Sequence, residues 1–224
     1  MKVGVLASGS GTNLQSLIDT WQRGALAPAD LVVVGANVQG CLALERAGKA
    51  GLATFVLSHK AFASREDFDR ALVAELRSHG VELIVLAGFM RVLTPVFLGE
   101  FPQRVINIHP ALLPAFPGTH GQKQALDYGV KLAGCTVHFV DAGTDTGPII
   151  AQAAVPVLPE DDEDSLRQRI LTEEHKLLPA VVRAVAAGQV VVTGRHVDVI
   201  REAQSDAKSP TKLAEARLRS IDPV

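Results

Sequence analysis

Asn107 and His109 stand two residues apart in Val105-Ile106-Asn107-Ile108-His109-Pro110, and in an extended chain residues two apart project from one face. Ile106 and Ile108 then face the other way. An amide beside an imidazole can donate to an oxyanion and carry a proton, the two services a carbonyl needs as it becomes tetrahedral. Pro110, Pro114 and Pro117 follow, with Gly118, and proline neither donates to a sheet ladder nor lets its predecessor become helical. The strand must therefore end at about His109. Open α/β sheets bind ligands at the carboxyl ends of their strands; the plainer alternative is that the pair only ties down the proline-rich loop. Asp145 comes after one further helix and strand, and neighbouring parallel strands would bring it to the same sheet edge. There a carboxylate would favour an imidazolium and fix its tautomer. The set contains no serine or cysteine nucleophile, so direct transfer between two bound substrates suits it better than a covalent acyl-enzyme.

The elements that must position these groups alternate strand and helix. Val3 to Ala7 is a short apolar run of buried-strand type, followed by the turn Ser8-Gly9-Ser10-Gly11-Thr12-Asn13 and an amphipathic stretch from Leu14 to Gln22. Strand, glycine-rich turn and helix in that order suit a phosphate, because glycines let the backbone approach and the helix start offers free N–H groups. A dinucleotide fold wants glycine where Leu14 stands and an acid where Asn37 follows the second strand, so a phosphomonoester is preferred, a merely structural turn being the remaining reading. Strands over 31–36, 53–57, 82–88, 134–140 and 149–157 and helices over 42–50, 64–80, 122–128 and from Ser165 complete an α/β pattern, with Pro179 expected to kink or divide the last helix. Arg65 would lie in the first turn of its helix, where a cation opposes the dipole and gains nothing locally; a ligand for an anion and a solvated surface residue are both open readings. Residues 189–193 and 197–200 read as a terminal hairpin, and the polar stretch after Arg201 as a mobile tail.

Composition narrows the partners. The 224 residues suit one large domain, and a net charge of −2 without a basic run lacks the footprint of a nucleic-acid binder. Cys41 and Cys135 lie in apolar segments, which fits reduced thiols in the cytoplasm, and metal-ligand spacings are absent. The first apolar run, about five residues, is shorter than the roughly seven to fifteen of a secretory signal, and no run approaches the ~18 residues of a membrane span.

Four stretches, Gly9-Ser10-Gly11-Thr12-Asn13-Leu14-Gln15, Leu86-Ala87-Gly88-Phe89-Met90-Arg91, Asn107 to Pro114, and Asp145-Thr146-Gly147-Pro148-Ile149-Ile150, resemble in order and spacing the phosphoribosylglycinamide formyltransferases, folate-dependent enzymes of purine biosynthesis. The likeness runs to about residue 200. It implies a Rossmann-like formyltransferase fold in one domain over 1–200, a monomer or homodimer, and small-molecule substrates with neither nucleic acid nor membrane. It also implies transfer of a formyl group from 10-formyltetrahydrofolate, as co-substrate and without metal, to the amine of glycinamide ribonucleotide. By the resemblance Asn107, His109 and Asp145 are catalytic; Gly11, Thr12, Asn13 and Glu174 hold the ribonucleotide; and Arg65, Met90, Arg91, Val92, Leu93 and Asn107 contact folate. Thr146 stands where the family often has a second glycine, and the tail has no counterpart. Alternatives are a formyltetrahydrofolate hydrolase, a methionyl-tRNA formyltransferase, for which residues 201–224 are too few to supply a tRNA-binding domain, a non-catalytic ribonucleotide-binding domain, and a nicotinamide oxidoreductase, which Leu14 and Asn37 disfavour.

Overall fold

Alternation along each strand decides which helices it receives. In β1 (Lys2–Ala7) Val3, Val5 and Ala7 join one apolar layer and Leu6 the other, so this strand is covered on both faces. The structure, a computed structural model, describes residues 1–200. The tail expected beyond Arg201 lies outside the described residues. Around β1 the chain adds α1 (Thr12–Gln22), β2 (Asp30–Ala36), α2 (Leu42–Lys49), β3 (Ala53–Val56), α3 (Arg65–Ser78), β4 (Leu83–Leu86), α4 (Pro95–Glu100) and β5 (Val105–His109). It continues with α5 (Gly121–Tyr128), β6 (Leu132–Phe139), β7 (Ile149–Pro156), α6 (Glu163–Ala186) and a separate hairpin, β8 (Val190–Thr193) and β9 (His196–Val199).

The main sheet has seven strands in the order β3-β2-β1-β4-β5-β6-β7, the first five mutually parallel. Helices α1, α2, α5 and α6 pack on one face through Leu14, Leu17, Ala43, Ala47, Ala125, Leu166 and Ile170; α3 and α4 cover the other through Phe68, Leu72, Leu76 and Phe97. The expected mostly parallel sheet with helices on both faces is what forms.

β6 departs from the expected direction, one helix appears that the sequence did not announce, and Pro179 leaves its helix undivided. β6 runs antiparallel to β5, not parallel, and β7 antiparallel to β6. A crossover helix of eight residues leaves strand direction open, and the hairpin-like return of β7 requires one reversal. The segment after Leu93 forms an unforeseen helix, α4, with Pro95 at its first positions, where a missing N–H costs nothing. Buried Asp69 in α3 accepts the Thr94 N–H at 2.6 Å and fixes that start. Pro179 does not divide α6, because Leu178, Val181 and Val182 around it are buried in the core and hold the helix along the sheet.

α6 begins with a reciprocal cap in which Asp162 accepts from the Ser165 N–H at 2.8 Å and the Ser165 hydroxyl accepts from the Asp162 N–H at 3.0 Å. Just before it, Asp161 takes two hydrogen bonds from Arg169, at 2.6 and 2.8 Å. The Arg169 guanidinium, opposed by burial and helped by the Leu158 N–H and the Ser165 hydroxyl, holds the Asp161 carboxyl far below the usual carboxylate range. A carboxyl depressed in the folded state contributes fully above its unfolded pKa of about 3.9 and loses that contribution as pH falls further. Asp161→Asn should lower Tm at neutral pH and flatten the fall of Tm below about pH 4; parallel Tm profiles for the two proteins would contradict the assignment.

Candidate active site

The β5 alternation places Ile106 and Ile108 in the layer under α1, α2, α5 and α6 and turns Asn107 and His109 to the opposite face. On antiparallel β6, Asn107 is paired with His138 and His109 with Thr136, so four polar side chains share that face. There the sheet is roofed by two loops, 110–120 and 140–148. Thr136 anchors the first loop: its hydroxyl donates to the Ala111 carbonyl at 2.7 Å and accepts from the Leu113 N–H at 3.0 Å.

Because β6 is antiparallel, its end lies beside the start of β5, and Asp145 reaches the pair by the folding back of the 140–148 loop. Its Oδ2 is 3.4 Å from His109 Nδ1 and accepts from the Gly118 N–H at 2.8 Å, while its Oδ1 is 3.6 Å from His138 Nε2. Burial works to raise the Asp145 pKa, but the His138 ring, the Gly118 N–H and the charge of His109 outweigh it, and the carboxyl sits below its ordinary value. His109 donates from Nε2 to the Phe116 carbonyl at 2.9 Å, so both its ring nitrogens face acceptors, an arrangement filled completely by the doubly protonated ring. With its proton on Nδ1, donated to the Phe139 carbonyl at 2.8 Å, the neutral His138 ring offers Nε2 to Asn107 Nδ2 at 3.2 Å; with Nε2 also protonated that nitrogen turns to Asp145, and it is in this form that the ring lowers the Asp145 pKa. One Asn107 N–H remains for a ligand. Three of the four non-glycine residues with positive φ among the described residues, Phe116, His120 and Asp145, surround this place, the kind of backbone strain that gathers at working sites.

The glycine turn lies alongside. Gly11 has φ of 68°, and a Cβ there would stand 2.8 Å from Ala43 of α2. α1 has no side-chain cap; its first bond runs from the Gln15 N–H to the Gly11 carbonyl, leaving the N–H groups of Thr12, Asn13 and Leu14 without helical partners. Leu14 is fully buried, and Asn37 accepts from the Ser8 hydroxyl at 2.6 Å, which in turn accepts from the Met90 N–H at 2.9 Å. Asn37 thus ties three strand ends together. Gly11→Ala should cost about 2 kcal/mol from the positive φ and the contact with α2, several degrees in Tm; an unchanged Tm would show that the turn relaxes freely. Glu174, 5% exposed, accepts from Asn13 Nδ2 at 2.7 Å; burial pushes its pKa up and the hydrogen bond only partly offsets this. Asn13 Oδ1 is left buried without a partner.

Two adjoining clefts use these residues. One, of about 240 Å³, is lined by Leu86, Phe89, Met90 to Leu93, Asn107, His138, Val140 and the Asp145 loop; the other, of about 540 Å³, by Thr12, Asn13, Asn107, His109, Asp145 and Glu174 among others. Phe89, Met90, Asn107, Thr119 and Asp145 line both. In the first, Arg91 keeps a buried Nε without a partner. Arg65 does not line it: its guanidinium donates to the Val92 carbonyl at 2.8 Å. His138 and Ser8 are residues of the site that the sequence pattern does not single out.

The family model described as formyl transferase matches residues 1–182. The chain belongs to the formyl transferase family. Among formyl transferases, phosphoribosylglycinamide formyltransferase of Mycobacterium tuberculosis (strain ATCC 25618 / H37Rv) is 51% identical over 198 residues, 88% of this chain and 91% of that protein. The phosphoribosylglycinamide formyltransferase of Escherichia coli (strain K12) is 43% identical over 85% of this chain and 89% of its own length. Trifunctional purine biosynthetic protein adenosine-3 of Drosophila melanogaster is 53% identical over 86% of this chain, which spans only 14% of that longer protein. Glycinamide ribonucleotide transformylase 1 from Symbiobacterium toebii superposes with a TM-score of 0.88 at 49% identity, covering 90% of this chain and 94% of that one. This formyl transferase therefore shares its fold with a solved glycinamide ribonucleotide transformylase and about half of its aligned residues with a protein named phosphoribosylglycinamide formyltransferase.

Proposed function

We propose that the protein transfers the formyl group of 10-formyltetrahydrofolate to the amine of glycinamide ribonucleotide, acting as a phosphoribosylglycinamide formyltransferase, with residues 1–200 as the working domain. The observation that carries this reading is the shared wall of the two clefts: a donor in one and an acceptor in the other would meet at Asn107 and Asp145. The larger cleft suits the ribonucleotide. Its phosphate takes the free N–H groups of Thr12 and Asn13 beyond Gly11, and Glu174 with the unpartnered Asn13 Oδ1 takes donors of the remainder. The smaller, mainly apolar cleft suits a flat heterocycle, with Met90 to Leu93 at its edge, the orphaned Arg91 Nε as a donor, and Arg65 outside toward the anionic tail of the folate.

As the amine attacks the formyl carbon, Asn107 donates its free N–H to the developing oxyanion and His109, held against Asp145, adds a positive charge. His109 passes its proton to the departing folate nitrogen and takes up in return the proton that the attacking amine gives up, so the imidazolium is restored. The neutral Phe116 carbonyl is the His109 partner that yields, since the Asp145 carboxylate binds the imidazolium more strongly. The buried thiols Cys41 and Cys135, the second with its pKa pushed up to about 12 by burial, support a reducing, cytoplasmic setting.

Folate absorbance, followed with and without glycinamide ribonucleotide, tests the proposal. Formyl loss only with the ribonucleotide supports it; loss without it indicates a hydrolase, and no loss in either case refutes transfer. Glu174→Gln should raise KM for the ribonucleotide about tenfold while raising Tm above pH 7, because the variant no longer ionises a buried group. The sign follows from the raised pKa: the charged form is penalised in the folded state as pH rises. An unchanged KM would remove Glu174 from the substrate site.

A further inference from the structure

The β8–β9 hairpin lies outside the seven-stranded sheet, yet its tip reaches the catalytic loop. Pairing of Thr193 with His196 leaves a two-residue turn, Gly194-Arg195, and Gly194 has φ of 62°, as the first position of a tight II′ turn requires. Arg195 therefore projects from a stiff tip, and the hairpin packs beside β7. Its Nη2 donates to the Thr146 carbonyl at 2.9 Å. Thr146 follows Asp145, whose φ of 55° is a conformation that persists only where the surroundings over-determine it.

Three independent ties supply that determination. The Gly118 N–H holds the Asp145 carboxylate from the facing loop. Inside the loop, Asp141 Oδ1 accepts from the Thr146 hydroxyl at 2.6 Å and the Gly143 N–H at 3.1 Å. Arg195 supplies the third, from a different element. We propose that Arg195 is a positioning residue, bracing the peptide after Thr146, one residue beyond Asp145, so that the carboxylate stays between His109 and His138. The titratable groups around that carboxylate are these two rings, from β5 and β6, with Asp141 in the same loop. The proposal rests on the reading of Asn107, His109 and Asp145 as the transfer machinery.

Arg195→Ala should lower kcat roughly tenfold, the loss expected of one charged hydrogen bond, with KM for both substrates within about twofold of the parent. Arg195→Lys, which keeps a cationic donor, should recover part of the loss. Tm should stay at the parent value, because Arg195 is exposed. The acid limb of kcat should move to higher pH as a less constrained Asp145 returns toward its ordinary carboxylate value. A variant with the parent kcat and acid limb would overturn the proposal, as would a loss shared equally by the Ala and Lys variants and tracking a lower Tm. Ring nitrogen NMR shifts of His109 and His138 in parent and Arg195→Ala protein read the same brace without turnover. Movement of those shifts supports it and identical shifts refute it, so a parent inactive in formyl transfer would sink the functional reading alone.

Discussion

Asn107→Ala should lower kcat by about two to three orders of magnitude while folate affinity changes little, the loss typical of one donor to an oxyanion. The amide is placed for this by the β5–β6 pairing, which commits one N–H to His138 and leaves the other facing the common wall of the clefts. His109→Ala should produce a loss of similar size, since the same step would lack its proton and its positive charge. Both are read from turnover at saturating substrates together with equilibrium dialysis of the folate. A large loss of folate binding with a near-normal saturated rate would contradict the assigned roles.

Asp145→Asn should lower kcat by about two orders of magnitude and reshape its pH profile. The amide can still accept the Gly118 N–H, so the loop has reason to keep its path while the charge opposite His109 disappears. In the parent, Asp145 titrates below the usual carboxylate range, and that acid limb should vanish in the variant. A profile identical in shape to the parent's would mean that Asp145 does not govern the proton on His109.

The sequence made one half of this site legible and concealed the other for definite reasons. Alternation in Val105 to His109 and the prolines after it were enough to place Asn107 and His109 together at a strand end, because both signals are local. The glycine turn and the Ser64 cap of α3, where Ser64 accepts the Asp67 N–H at 3.0 Å, were readable for the same reason. His138 was not, since its meeting with Asn107 depends on the direction of β6, and α5 could lead into either direction. Ser8, Asn37 and Arg195 act through partners far away in the chain, joined by side-chain bonds that leave no periodic trace.

β5 carries two obligations on opposite sides of five residues: its isoleucines belong to the core and its amide and imidazole to the site. A slip of one residue in its pairing would drive Asn107 and His109 into hydrocarbon and turn Ile106 and Ile108 toward the clefts. Misregistered copies would therefore be purged by ordinary folding and quality control before their chemistry was ever put to use. The packing of the interior thus proofreads the placement of the reactive pair, and correct folding of this strand and correct assembly of the site become one event.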